Sequence, residues 1–116
     1  MTFQPSVTAL VAEDHPNYRA RVAGQLEGWG LRTVVARDGR EALDALEGGP
    51  DIHLLVTDLE MPHYTGFEVI EAWFRRGGAA EAVIMVTGEA DSLDVRSRCA
   101  ADGIRLIHKT GLNAYF

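Results

Sequence analysis

Four short polar clusters stand directly behind or at the end of apolar runs. Glu13 and Asp14 follow Val7–Ala12, Asp58 follows Ile52–Thr57, Thr87 and Gly88 close the run from Ala82, and Lys109 follows Ile104–His108. Brought together, three acids, one hydroxyl and one ammonium would have a definite chemistry. Crowded carboxylates repel and need a counter-charge. An all-oxygen donor set selects a hard cation, and Mg2+ accepts one or two carboxylates while keeping several waters. A carboxylate beside Mg2+ and a lysine can attack a phosphoryl group to form an acyl phosphate. The metal and Lys109 would then neutralise charge on the equatorial oxygens. The Thr87 hydroxyl and backbone N–H groups near Gly88 are placed to hydrogen-bond the product. Taken singly, each residue has an ordinary reading: a helix cap for Glu13–Asp14, a loop acid for Asp58, a strand end for Thr87, a solvated amine for Lys109. The chemistry depends on whether the fold brings them to one place.

The surrounding pattern predicts that it does. Val7–Ala12, Leu31–Ala36, Ile52–Thr57, Ala82–Thr87 and Ile104–His108 read as strands. Pro16–Glu27, Gly39–Glu47, Gly66–Arg76 and Asp91–Asp102 read as helices, with Pro16 suited to a first turn and Gly28, Gly48, Gly77 and Gly103 to helix ends. Tyr18, Val22 and Leu26 share one helical face, as do Phe67, Ile70 and Phe74. The last helix carries a weaker stripe, Val95 and Cys99, and is expected to be the least firmly held. Strand–helix alternation implies βαβ units and a parallel sheet covered on both faces. Strands 1, 3 and 4 lack charge, whereas strands 2 and 5 carry Arg32 and Arg105, as edge strands do. The order 2-1-3-4-5 satisfies this and keeps the crossovers right-handed. In such sheets a ligand binds beyond the carboxyl ends of the strands, which is where the acids, Thr87 and Lys109 fall. Arg37–Asp38, at the end of outer strand 2, is kept away.

Composition narrows the function classes. A chain of 116 residues, 47% hydrophobic and 24% charged, is predicted to form one ordered domain over residues 1–116. The net charge of −6 argues against direct nucleic-acid binding through a broad basic face. Cys99 is the only cysteine, which excludes an intramolecular disulfide and a cysteine-based zinc cluster; a reducing, cytoplasmic setting is expected. No apolar run approaches the ~18–20 residues that span a bilayer, so no membrane association is expected. His15 and His63 flank the acids but lie in separate loops without metal-binding spacing. They are read as exposed loop histidines rather than metal ligands or phosphoacceptors. Trp29 and Trp73 are expected to pack.

With these residues in place, the chain resembles the receiver domain of two-component response regulators across nearly its full length. The resemblance rests on Glu13–Asp14, on Asp58-Leu59-Glu60-Met61-Pro62 with Gly66 following, on Thr87-Gly88 and on Lys109. It implies a flavodoxin-like three-layer α/β sandwich with strand order 2-1-3-4-5. It implies that Asp58 is the phosphoacceptor, that Asp14, Asp58 and the Glu60 backbone carbonyl hold Mg2+, and that Glu13 acts through metal-bound water. Thr87 would report the phosphoryl group and Lys109 would be the paired cation. A histidine kinase or histidine phosphotransfer protein would be the donor, and the chain's own activity would be limited to self-phosphorylation and self-dephosphorylation. Two alternatives stay open: a non-phosphorylated scaffold of the same fold, and a Mg2+-dependent phosphatase with an aspartyl nucleophile. A stand-alone regulator and a receiver from a hybrid kinase look the same at this level.

Three departures from the family pattern bear on signal relay. Thr110 stands where the family usually has proline, often joined by a cis peptide, so that loop is expected to differ. Leu106 stands where an aromatic switch residue is common. Only Thr110–Phe116 follow Lys109, fewer than the ~11 residues of an average helix, so the fifth helix is expected to be short or missing. The flank of strands 1 and 5 would then be covered by Leu112, Tyr115 and Phe116 folding back, by a second copy in a homodimer, or by an output domain or partner helix.

Overall fold

The computed structural model describes residues 7–111. Five strands, β1 (Thr8–Ala12), β2 (Arg32–Ala36), β3 (Leu54–Thr57), β4 (Val83–Thr87) and β5 (Arg105–His108), alternate with four helices, α1 (Pro16–Gly28), α2 (Gly39–Gly48), α3 (Gly66–Arg75) and α4 (Leu93–Asp102). Short 3-10 turns occupy Ala80–Ala82 and Lys109–Gly111. Every strand pairing is parallel and the order is β2-β1-β3-β4-β5, as the charge pattern predicted. This is the flavodoxin-like arrangement.

Local chemistry sets the helix starts. Pro16 occupies the first turn of α1, where its missing N–H costs nothing. The Asp38 carboxylate caps α2 by accepting the Glu41 N–H at 2.8 Å. At α3, Thr65 and Glu68 form a reciprocal capping box. α4 begins at Leu93 rather than Asp91, because Ser92 is extended and its hydroxyl accepts the Val95 N–H. It ends at Gly103, whose φ of 74° lies in the left-handed region that glycine adopts freely.

The sheet separates two apolar layers. Leu10, Leu55, Val83 and Met85 face α2, α3 and α4, with Val69, Ile70 and Trp73 packed on them. On the other side Ala9, Val11 and Val56 meet Val22 and Leu26 of α1. All five β1 residues are buried, whereas Arg32 and Arg105 on the outer strands are exposed. Trp73 packs as expected, and its Nε1–H donates to the Ala79 carbonyl at 2.9 Å. Trp29 does not: it is 56% exposed. It is the cap residue after α1, and its N–H still donates to the Gln25 carbonyl at 3.2 Å.

On the flank of β3–β5 beside α1, Val56, Val86 and Ile107 are buried while Leu54 and Ile84 are half-buried. A groove of about 340 Å³ runs between Leu54, Ile84, Ile107 and Trp29. The expected fold-back of Leu112, Tyr115 and Phe116 lies outside the described residues. Among the described residues, no helix is long and apolar enough to cross a membrane.

Candidate functional site

Parallel register puts the strand ends side by side. Ala12 pairs with Thr57, Thr57 with Met85, and Thr87 with His108. The next residue of each chain segment therefore emerges at one edge. The Asp58 N–H donates to the Ala12 carbonyl at 2.9 Å, and the Glu13 N–H to the Ala36 carbonyl at 3.0 Å, so sheet bonding extends one residue into the site. A cavity of about 440 Å³ opens there, with Asp14, Asp58, Glu60, Thr87 and Lys109 in its wall. The Glu13 carboxylate lies just behind them.

Asp58 is 6% exposed. Its Oδ1 accepts the Leu59 N–H at 2.7 Å and its Oδ2 the Lys109 ammonium at 3.0 Å. Its carbonyl packs against Gly66, whose N–H donates to the Leu59 carbonyl at 2.7 Å; a Cβ on residue 66 would overlap the Asp58 carbonyl oxygen. The start of α3 thus presses directly on the loop that carries Asp58.

Glu13 is 5% exposed. Its Oε1 meets Lys109 Nζ at 3.0 Å and its Oε2 accepts the His15 N–H at 3.0 Å. Burial pushes its carboxyl up to about 7, against the lowering pull of the His15 N–H and of Lys109. Burial by itself would lower the Lys109 ammonium, but hydrogen bonds to Glu13 and Asp58 outweigh it and leave Lys109 above its ordinary value. Asp14 is exposed at the cavity mouth. Carboxylate oxygens of Glu13, Asp14 and Asp58 all lie within 4.8 Å of one another. Oxygen donors at that spacing, two of them buried beside a single ammonium, fit a hard divalent cation such as Mg2+.

Thr87 is 2% exposed, and its Oγ1 accepts the Glu89 N–H at 3.1 Å. Glu60 and Glu89 face each other across the mouth. A hydrogen bond between the two carboxyls, with their mutual repulsion, raises Glu89. Thr110 shapes the loop after Lys109 differently from a proline: its N–H donates to His108 Nδ1 at 3.1 Å, a bond proline cannot make. Among the described residues no peptide bond is cis. Leu106 is half-buried against the larger apolar layer.

Two contributors escaped the sequence reading. Glu89, two residues past Thr87, was open to discovery from its place after β4. Tyr18 read only as part of an apolar helical stripe, yet Lys109 Nζ sits 4.6 Å from its ring centroid. His15 lines the mouth without joining the carboxylate cluster. His63 has a φ of 74° and lies 4.0 Å from Asp38, at the end of outer strand β2.

Comparison with known proteins returns one consistent answer. The family model described as "Response regulator receiver domain" matches residues 9–112. The Response regulator RR06 of Streptococcus pneumoniae is 42% identical over 62 residues, covering 53% of this chain and 28% of that protein. The Sensor histidine kinase RcsC of Escherichia coli K12 is 33% identical over 95 residues, covering 82% of this chain and 10% of that protein. The chain therefore spans a minor part of either relative. Among solved structures, the response regulator protein TrrA of Thermotoga maritima, in complex with Mg2+-BeF, superposes with a TM-score of 0.73 at 27% identity, covering 89% of this chain and 86% of that one.

Proposed function

This chain belongs to the family of response regulator receiver domains of two-component signalling, and from that premise we propose that Asp58 is its phosphoacceptor. The observation that carries the proposal is the Asp58 carboxylate, buried at the end of β3 and held at 3.0 Å by Lys109 within a cluster of three acids. One carboxylate oxygen attacks the phosphorus of a phosphohistidine on a histidine kinase or phosphotransfer protein. An O–P bond forms, the P–N bond breaks, and its electron pair stays on the imidazole. Glu13, Asp14 and Asp58, with the Glu60 backbone carbonyl, would hold Mg2+. When bound, the metal neutralises charge on the phosphoryl oxygens.

The chain's own groups do the rest. Lys109 supplies a fixed positive charge beside the reacting oxygen. The Leu59 N–H fixes the orientation of the Asp58 carboxylate. Thr87 leaves the Glu89 N–H and turns its hydroxyl to the phosphoryl group, which biases the segment between β4 and α4 toward a second arrangement. Residues 1–116 act as one receiver domain with at most self-phosphorylation and self-dephosphorylation activity, in the cytoplasm.

Incubation with acetyl phosphate and Mg2+ followed by intact-mass measurement tests this reading. Wild type should gain the mass of one phosphoryl group and Asp58→Asn none. An unmodified wild type would favour the scaffold reading, and steady turnover of a small phosphate ester the phosphatase reading.

A further inference from the structure

Lys109 directly follows the four-residue edge strand β5 as the first residue of a 3-10 turn, and it carries its ammonium on a flexible four-carbon stem. Its ammonium nevertheless reaches Glu13 Oε1 and Asp58 Oδ2, each at 3.0 Å, with the side chain 17% exposed. The two carboxylates leave one side of the cation open. Tyr18 occupies that side: it is half-buried in the first turn of α1, its ring centroid 4.6 Å from Nζ. The His15 ring packs edge-on against it, centroids 5.2 Å apart at 62°.

We propose that Tyr18 is a positioning residue for Lys109, its ring face closing the open side of the ammonium and holding it against Asp58. An aromatic face attracts a cation through its quadrupole. It does so without adding a fourth carboxylate, which would compete for the divalent cation. The entry to α1 then sets two of the lysine's three partners. The His15 N–H orients Glu13, and the His15 ring braces Tyr18. The entry to α1 thereby limits the freedom of the flexible Lys109 stem. This inference rests on the reading of Lys109 as the cation that meets the phosphoryl group.

Lys109 is the only lysine in the chain, so a lysine-labelled sample reports on it alone. In metal-free wild type, its ε-methylene protons should resonate upfield of free lysine through the ring current of Tyr18. Tyr18→Phe should keep that shift and Tyr18→Leu should lose it. With acetyl phosphate and Mg2+, the initial rate of phosphoryl mass gain should fall about five- to ten-fold in Tyr18→Leu and return to near wild type in Tyr18→Phe. Unshifted Lys109 signals in wild type overturn the inference. Equal rates for wild type and Tyr18→Leu do so as well. If Tyr18→Leu does not fold, the wild-type and Tyr18→Phe spectra decide the question. A wild type that gains no phosphoryl mass defeats the phosphoacceptor reading instead, and the Lys109 resonance still tests where Tyr18 sits.

Discussion

Replacing Lys109 by methionine removes the one ammonium shared by two buried carboxylates, and its cost should depend on pH. Glu13 and Asp58 are 5% and 6% exposed, and each loses a contact of 3.0 Å. Removing one partner from a buried ion pair costs about 3–5 kcal/mol, because the remaining charge is left uncompensated. That is a large part of the 5–15 kcal/mol typical of a domain. Protonation of Glu13 is the escape route. In wild type its carboxyl titrates at about 7 when folded, against an ordinary 4.5. Between those values the folded chain binds more protons than the unfolded one, so stability falls as pH rises, by up to about 1.4 kcal/mol per unit. Above the folded value the fall levels off. Lys109→Met deletes two of the pulls that lower Glu13, so its carboxyl titrates higher still. The variant should keep losing stability at alkaline pH where wild type has levelled. Urea unfolding in EDTA at about pH 5.5 and pH 8 should show a gap that widens with pH. Added Mg2+ should narrow it by supplying positive charge to the same acids. Parallel pH profiles, or a variant as stable as wild type at pH 8 without divalent cation, would refute the reasoning.

Asp14→Ala should weaken Mg2+ binding at least ten-fold, about 1.4 kcal/mol by calorimetry, while leaving the metal-free protein as stable or more so; equal affinities would count against Asp14 as a metal contact. Gly66→Ala should cost about 1–3 kcal/mol, since the new Cβ overlaps the Asp58 carbonyl oxygen and lies 3.1 Å from Leu59 Cα. Its phosphorylation rate should drop too, and an unchanged melting temperature would show that the Asp58 loop yields freely. Thr65→Ala should cost about 1 kcal/mol by removing the α3 capping box, measured by denaturant midpoint.

Much of this architecture was legible in the sequence because it is written in local patterns. The uncharged runs of β1, β3 and β4, against Arg32 and Arg105 on the outer strands, gave the strand order. Parallel register then forces the residue after each strand to one edge, so the gathering of Glu13, Asp14, Asp58, Thr87 and Lys109 followed from topology. What escaped depended on side-chain direction. Tyr18 has the spacing of a core residue, and only its distance to Lys109 Nζ shows a second use. Trp29 was expected to pack, yet it stands 56% exposed at the end of α1. The pairing of Glu60 with Glu89 joins two loops that no sequence period relates.

α4 touches the rest of the molecule lightly. Only Val95 and Cys99 of its ten residues are buried, and Leu93 is 74% exposed. Arg98 adds a clasp across to α3, lying 4.1 Å over the Phe67 ring and 3.4 Å from Glu71. Phe67 in turn adjoins Gly66, which leans on the backbone of Asp58. Such uneven anchoring sets an order of opening. The amide protons of α4 should exchange with solvent through local unfolding of low free energy, while those of the fully buried β1 should wait for near-global unfolding. Of these two elements, α4 is thus the one whose backbone can be rearranged with less disturbance to the core.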